Sequence, residues 1–256
     1  MDVKITNYCN MGCLMCHEGS TTKGKHGDLL NLKFINSLHR YTELALGGGN
    51  PLSHPQLIDF LKVCREKRII VNMTVNQQHF MEQQELLSFL TRTKLIISLG
   101  VSLTEVTNEF IETIKRYPNL VVHIINGMIK VEDLRKLYDN DIKILILGYK
   151  KLRRGIEHYN KNSIYIEKLR TDLYLELENM IQHMKVVSFD NLAIKQLEVK
   201  RLMSKEEWDE FYMGDDGKFT MYMDLVEKKF ARSSISEKRY NLLDNIDDMF
   251  KVILNE

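Results

Sequence analysis

The feature that most constrains this chain is an alternation of two patterns. Short apolar runs and amphipathic helical stretches follow one another about six times over the first ~150 residues. Val3 to Thr6, Glu43 to Leu46, Ile69 to Val75, Lys94 to Val101, Leu120 to Ile125 and Lys143 to Leu147 have the length and composition of strands. Between them, Leu57, Phe60, Leu61 and Cys64 share one helical stripe, as do Val106, Phe110, Ile111 and Ile114, and Val131, Leu134 and Leu137. Asp28 is expected to cap a helix bearing Leu30, Phe34, Ile35 and Leu38. Ser102 and Glu105 form the pattern of a capping box ahead of the Val106 stripe. Near-continuous apolar strands between such helices imply a parallel sheet covered on both faces. Six units predict an α/β fold of the TIM type left open, a partial (β/α)6 barrel. Its chemistry belongs on loops at the C-terminal ends of the strands.

The last third differs. Ile166, Leu169, Leu173, Leu177, Met180, Ile181 and Met184 recur mostly at spacings of three and four, which predicts one long helix. Lys185 to Phe189 is a further strand, and Asp215-Asp216-Gly217 is a turn before an alternating strand, Phe219 to Met223. Ile246, Phe250, Ile253 and Leu254 mark a closing helix. Residues 1–155 are therefore assigned to the barrel core. Residues 156–256 are assigned to a C-terminal α+β cap that packs on the barrel within the same structural unit.

Charge and hydropathy narrow the function. Lys plus Arg number 36 and Asp plus Glu 35, a net +1, so no global basic field exists to grip nucleic acid. No stretch approaches the ~20 apolar residues of a membrane span. The opening MDVKITNYC has no apolar run of the signal-peptide kind, and a cytoplasmic location is expected.

Of the four cysteines, three fall in one window, Cys9-Asn10-Met11-Gly12-Cys13-Leu14-Met15-Cys16. In a reducing compartment such clustering points to metal or redox chemistry before disulfides. Three thiolates on one loop can each take an iron of a cubane, leaving the fourth iron open to a ligand. A zinc site would normally need a fourth Cys or His at comparable spacing, and His17 is too close to Cys16 to wrap back onto the same ion. Cys64, on its apolar stripe, is read as a buried core thiol.

With these residues in view, the sequence resembles the radical S-adenosylmethionine (radical SAM) enzymes. Thr6 to Cys16 resembles that family's cluster loop directly after the first strand, with Met15 where an aromatic residue is usual. Leu46-Gly47-Gly48-Gly49-Asn50-Pro51 stands in the place of the family's glycine-rich strand end, with Asn50 replacing the usual acid. The resemblance implies a [4Fe-4S] cluster on Cys9, Cys13 and Cys16. It implies S-adenosylmethionine held by Gly47, Gly48, Gly49 and Asn50. Weaker matches add Ser98 toward the ribose, the Asn126-Gly127 segment near the adenine, and Tyr149 lining the adenine site. The implied chemistry is one-electron cleavage of the cofactor to a 5′-deoxyadenosyl radical that abstracts hydrogen from a substrate. A flavodoxin- or ferredoxin-type protein would supply the electron. No cysteine remains in the last ~100 residues for an auxiliary cluster domain of the kind many family members carry.

Substrate-side residues are less constrained. Lys150, Arg153 and Arg154 make a basic patch beyond the sixth strand that could hold a phosphate or carboxylate. Lys150, Arg153, Asp190 and Tyr222 are the catalytic candidates. His17, Glu18, His26, Gln196 and Asp224 are further polar ones. Two other functions compete with a small-molecule, nucleotide or peptide enzyme: a glycyl-radical-enzyme activase, and a non-catalytic iron–sulfur or zinc protein.

Overall fold

The computed structural model describes residues 1–256. Ten strands form one sheet in the order β10-β9-β8-β1-β2-β3-β4-β5-β6-β7. Six of them open the chain: β1 (Asp2–Thr6), β2 (Glu43–Gly48), β3 (Ile70–Asn76), β4 (Ser98–Ser102), β5 (Leu120–Ile125) and β6 (Lys143–Leu147). They pair in sequence order, all parallel. The helices between them are α1 (Leu57–Glu66), α2 (Gln77–Glu82), α3 (Gln84–Arg92), α4 (Asn108–Ile114) and α5 (Val131–Arg135). α6 (Arg154–His183) follows β6 and departs from helical dihedrals at Asn162. With open edges at both ends of the sheet, this is the partial barrel that the alternation predicts.

The two sheet faces differ, which the apolar runs alone did not suggest. Leu44, Leu46, Val71, Met73, Val75, Leu99, Val101, Val122, Ile124, Ile144 and Ile146 are buried in one core with Phe60, Leu61, Leu87 and Phe110 of the helices. The alternate positions of the first strands carry Lys4, Thr6, Gly47, Asn72, Thr74, Asn76, Gly100, Ser102 and His123. This inner face is polar or small, where a closed barrel would stack branched side chains. Thr74 and His123 converge on Gly100: a Cβ there would lie 2.4 Å from the His123 ring and 2.8 Å from Thr74 Oγ1.

The C-terminal third does more than sit on the barrel, because it supplies strands at both sheet edges. β7 (Val186–Phe189) pairs parallel to β6. After α7 (Asn191–Gln196) and α8 (Lys205–Phe211), β8 (Tyr222–Asp224) pairs parallel to β1. β9 (Lys229–Ala231) and β10 (Tyr240–Asn241) continue that edge antiparallel, and α9 (Ile246–Leu254) ends the chain. Bracketing β1 and β6 in this way matters for function, because both strands end at the mouth.

Several local expectations are corrected. The residues after Asp28 form no α-helix. Its carboxylate accepts from Leu30 N and Asn31 Nδ2, closing a turn, and only a 3₁₀ turn, Lys33–Ser37, follows. Ser102 and Glu105 do not make a capping box. Gln77 Oε1 takes the amides of Thr104 and Glu105, so α4 starts later, with Thr107 accepting from Phe110 N. The strand placed at Phe219 to Met223 starts three residues later, as β8, whose hairpin partner β9 lies beyond Val226.

Candidate functional site

The cysteine loop leaves β1 at the mouth of the barrel. β1 skips a residue against β2 between Lys4 and Thr6, and this irregularity turns the chain outward. The loop is then strapped to the glycine run. Gly49 N donates to the Thr6 carbonyl (2.8 Å) and Asn50 N to the Tyr8 carbonyl (2.7 Å). Side chains have no room in this approach. A Cβ on Gly48, which sits at φ +110°, would be 2.3 Å from Thr6 O, and one on Gly49 would be 2.1 Å from Tyr8 O. Gly47 is different, because a Cβ there would meet nothing within 4 Å. Asn50 is buried, its Oδ1 accepting from Leu52 N and its Nδ2 donating to Ser53 Oγ, which leaves Oδ1 one lone pair.

Cys9, Cys13 and Cys16 are free, half-buried thiols. Burial, and then the charges of Cys16 and Cys9, push the Cys13 thiol up, so the three sulfurs lie within one another's field. No set of three or more His, Cys, Asp or Glu is gathered tightly enough to hold a single ion. A cubane asks for no such convergence, since each iron takes one thiolate. The donor set therefore fits a three-cysteine cluster.

The loop is held from four directions. On α2, His79 is hydrogen-bonded through Nε2 to Asn10 Oδ1 (2.8 Å), and its buried Nδ1 has no partner. From inside the barrel, Lys4 Nζ reaches Glu18 Oε2 (2.9 Å) and Asp224 Oδ2 (3.0 Å), with the Lys4 and Asp224 side chains 1% exposed. From β8, the Tyr222 hydroxyl donates to Glu18 Oε1 (3.3 Å). From the start of α6, Arg153 Nη1 donates to the His17 and Glu18 carbonyls (3.2 and 3.0 Å). Arg154 donates through Nε to the Cys13 carbonyl and through Nη2 to the Ser20 carbonyl, both at 3.0 Å. Burial alone would raise the Glu18 carboxyl, but the hydrogen bond with His17 and the Lys4 ammonium hold it below the ordinary carboxylate range. Burial lowers His17 below the ordinary imidazole range, against the opposing pull of Glu18.

The opposite wall is mainly apolar. Met15 of the loop, Ile124 and Ile125 of β5, Met128 and Ile129 beyond it, and Ile166 and Leu169 of α6 surround a cavity of ≈ 170 Å³. Gly127 forms its turn at φ +88°, where a Cβ would be 2.8 Å from Ile166 Cγ2. Asn126 is fully buried. Its Nδ2 donates to Gln196 Oε1, and its Oδ1 has no partner. Gln196 also takes Tyr149 N and donates back to the Tyr149 carbonyl. Tyr149 is buried, not at a rim: its hydroxyl donates to the Gly155 carbonyl, and it lines a small cavity with Met15 and Ile125.

The sequence-derived site residues thus separate. The three cysteines, Gly47 to Asn50, Asn126 and Tyr149 lie around one mouth. Ser98 does not. It starts β4, at the foot of the barrel, where its hydroxyl donates to the Asn119 carbonyl. The residue of β4 at the mouth is Ser102, in register with Asn76 and His123. The four catalytic candidates are engaged within the chain. Lys150 donates to Ser234 Oγ, and Arg153 and Tyr222 hold the cysteine loop. Asp190 caps α7 and accepts from Gly148 N. Asp224 pairs with Lys4, and His26 bonds Thr6 Oγ1 through Nδ1. Sequence reasoning missed Lys4, His79 and His123. Two of them had a signal, a Lys within Val-Lys-Ile-Thr and a His within Val-Val-His-Ile-Ile, each interrupting a strand.

Fold and site together define an open α/β barrel with a thiol-bearing mouth. Comparison supplies the family: the model described as the radical SAM superfamily matches residues 3–158. The chain belongs to the radical SAM superfamily. Among solved structures, SuiB of Streptococcus suis bound to the precursor peptide SuiA is similar, with a TM-score of 0.63 and 13% identity over 94% of this chain and 61% of that one. SuiB bound to S-adenosylmethionine matches with a TM-score of 0.61 and 13% identity, over 94% and 62%. This chain spans less than two thirds of those neighbours, and at such identity the likeness is one of fold. No curated protein matches the sequence.

Proposed function

We propose that the chain is a radical SAM enzyme, with a [4Fe-4S] cluster on Cys9, Cys13 and Cys16 and S-adenosylmethionine beside it. The observation that carries this reading is the three-thiol loop strapped to Gly49 and Asn50 at the open mouth. When bound, these groups supply one-electron cleavage to methionine and a 5′-deoxyadenosyl radical that takes hydrogen from a substrate. The chain's part is binding, orientation and exclusion of water. The open inner face at Gly47 and the free lone pair of Asn50 Oδ1 receive the methionine part. The unpartnered Asn126 Oδ1 accepts from the adenine amino group, with Met15 and Tyr149 as apolar walls. Ser102, at the mouth end of β4, would meet the ribose in place of Ser98. A flavodoxin- or ferredoxin-type donor supplies the electron. All four cysteines are free thiols, in keeping with a cytoplasmic setting, and no helix is long and apolar enough to cross a membrane.

The test is direct. Protein reconstituted anaerobically with iron and sulfide, then given dithionite and S-adenosylmethionine, is expected to release 5′-deoxyadenosine. A confirmed cubane that yields none overturns the reading.

A further inference from the structure

The basic pair after β6 invites an anion-binding role, yet its engaged donors point into the cysteine loop. Together Arg153 and Arg154 reach the carbonyls of Cys13, His17, Glu18 and Ser20, across sequence separations of 134 to 141 residues. Arg154 spans Cys13 and Ser20 with one fork, which a lysine ammonium cannot do with the same fixed geometry. The pair is also placed at a conformational cost. Arg153 holds φ +48°, ψ −125°, a strained backbone for a residue with a Cβ. The residue after the pair must be glycine, because a Cβ on Gly155 would lie 2.4 Å from Lys150 O and 3.3 Å from Met15 O. Gly19, at φ +62°, leaves room for the Arg153 side chain, whose Cδ would be 2.9 Å from a Cβ there. Three special backbone positions therefore serve one contact between α6 and the loop.

We propose that Arg153 and Arg154 are positioning residues for the cluster. They clamp the loop that carries the thiolates, and Arg154 fixes a positive charge behind Cys13 that favours the more negative, reduced cluster. This rests on the cluster assignment above. Arg154 carries most of the electrostatic effect, because the Arg153 side chain is 47% exposed and screened by water. The chemistry is that of any anionic centre facing a fixed cation: removing the cation disfavours the state with the extra electron.

Three reconstituted proteins decide it: wild type, Arg154→Gln and Arg154→Lys. Potentials are read by EPR-monitored titration and cluster retention by the rate of iron release to a chelator. Arg154→Gln is expected to move the midpoint to a more negative potential and to release iron roughly tenfold faster, because the two charge-assisted bonds of the fork, to Cys13 and Ser20, are lost. Arg154→Lys is expected to keep the wild-type midpoint but still release iron faster, since charge survives and the fork does not. A wild-type midpoint in Arg154→Gln overturns the electrostatic role. Wild-type iron release in both variants overturns the clamp. If Arg154→Gln does not fold by circular dichroism, Arg154→Lys still tests the clamp through iron release. If wild type takes up no cluster, the functional reading fails instead. Amide exchange of residues 9–20 in metal-free protein then tests the clamp, supported by faster exchange in the variants and overturned by unchanged exchange.

Discussion

The two walls of the mouth are built in opposite ways. On the β1 side, Lys4, Glu18, Asp224, Arg153 and Arg154 fix the cysteine loop through directional bonds with named atoms. On the β4 to β6 side, Met15, Ile125, Met128, Ile166 and Leu169 line a cavity that Thr104, Glu105, Lys130, Asp133 and His158 complete. On the proposed function, the difference follows from what each wall would hold. An anionic, redox-active centre needs ligands fixed in position and charge set by fixed dipoles. A flat organic group needs shape and freedom from water, which apolar packing supplies without directionality. One wall should therefore fail abruptly when a single atom is lost, and the other gradually with volume.

The largest break is at the ligands. Cys13→Ala is expected to remove the cluster, and iron content with 5′-deoxyadenosine release should fall to background while circular dichroism stays that of wild type. Next comes the charge inside the barrel. Lys4→Met leaves Glu18 and Asp224 facing each other, both buried, without their shared cation. Stranding buried charges costs about 3–5 kcal/mol, to be read as a lower denaturant midpoint. Lys4→Met with Asp224→Asn should recover part of that loss, which a purely steric role for Lys4 would not allow.

How far this was legible in the sequence follows the same division. The barrel was readable because its strands and helices are local patterns, and the cysteine and glycine loops because their spacing lies within single segments. The charged wall was not. Lys4 and Asp224 are 220 residues apart and meet only because β8 joins the far edge of the sheet beside β1. Arg153 and Arg154 read as an anion-binding patch for the same reason. The error at Ser98 has another origin. The strand expected at Lys94 to Val101 puts Ser98 within it and Ser102 beyond it, whereas β4 runs Ser98–Ser102, so Ser102 holds the C-terminal end at the mouth. The two-sided burial expected of the strands failed because an open barrel leaves its inner face for ligand and solvent.

On the inner face beside the apolar wall, His123 of β5 gives a pH-dependent test. Burial pushes its imidazole down to about 4, from 6.5. As pH falls through that interval the unfolded chain takes a proton that the folded chain refuses, so stability is full above 6.5 and declines toward 4. The loss contributed by this one residue is at most about 3 kcal/mol. His123→Gln should flatten this part of the acid limb and leave the rest, since burial also lowers His54 and His79 in the same direction. An acid limb identical to wild type would mean that His123 is hydrated in solution. On the same wall, Gly127→Ala combines φ +88° with a contact at 2.8 Å on Ile166 and should cost about 1–3 kcal/mol.

The smallest expected effect tests whether the walls are coupled at all. Tyr149 touches both. Its amide and carbonyl are held by Gln196, which also holds Asn126, and its hydroxyl donates to the Gly155 carbonyl at the start of α6, beside the Arg154 fork. Tyr149→Phe keeps the ring that lines the small cavity with Met15 and removes one hydrogen bond. The Gly155 carbonyl lies in the first turn of α6, where the helix's own ladder offers it a donor, so the loss should be only about 1 kcal/mol. That corresponds to a drop in Tm of about 2–4 °C for a chain of this size. The informative measurement is a cycle with Arg154→Gln. If the hydroxyl passes the position of α6 from the apolar wall to the cysteine loop, the two losses will not add, with a coupling of about 0.5 kcal/mol or more. Strict additivity would mean that α6 is fixed by the core alone and that the walls act independently, each tuned without disturbing the other.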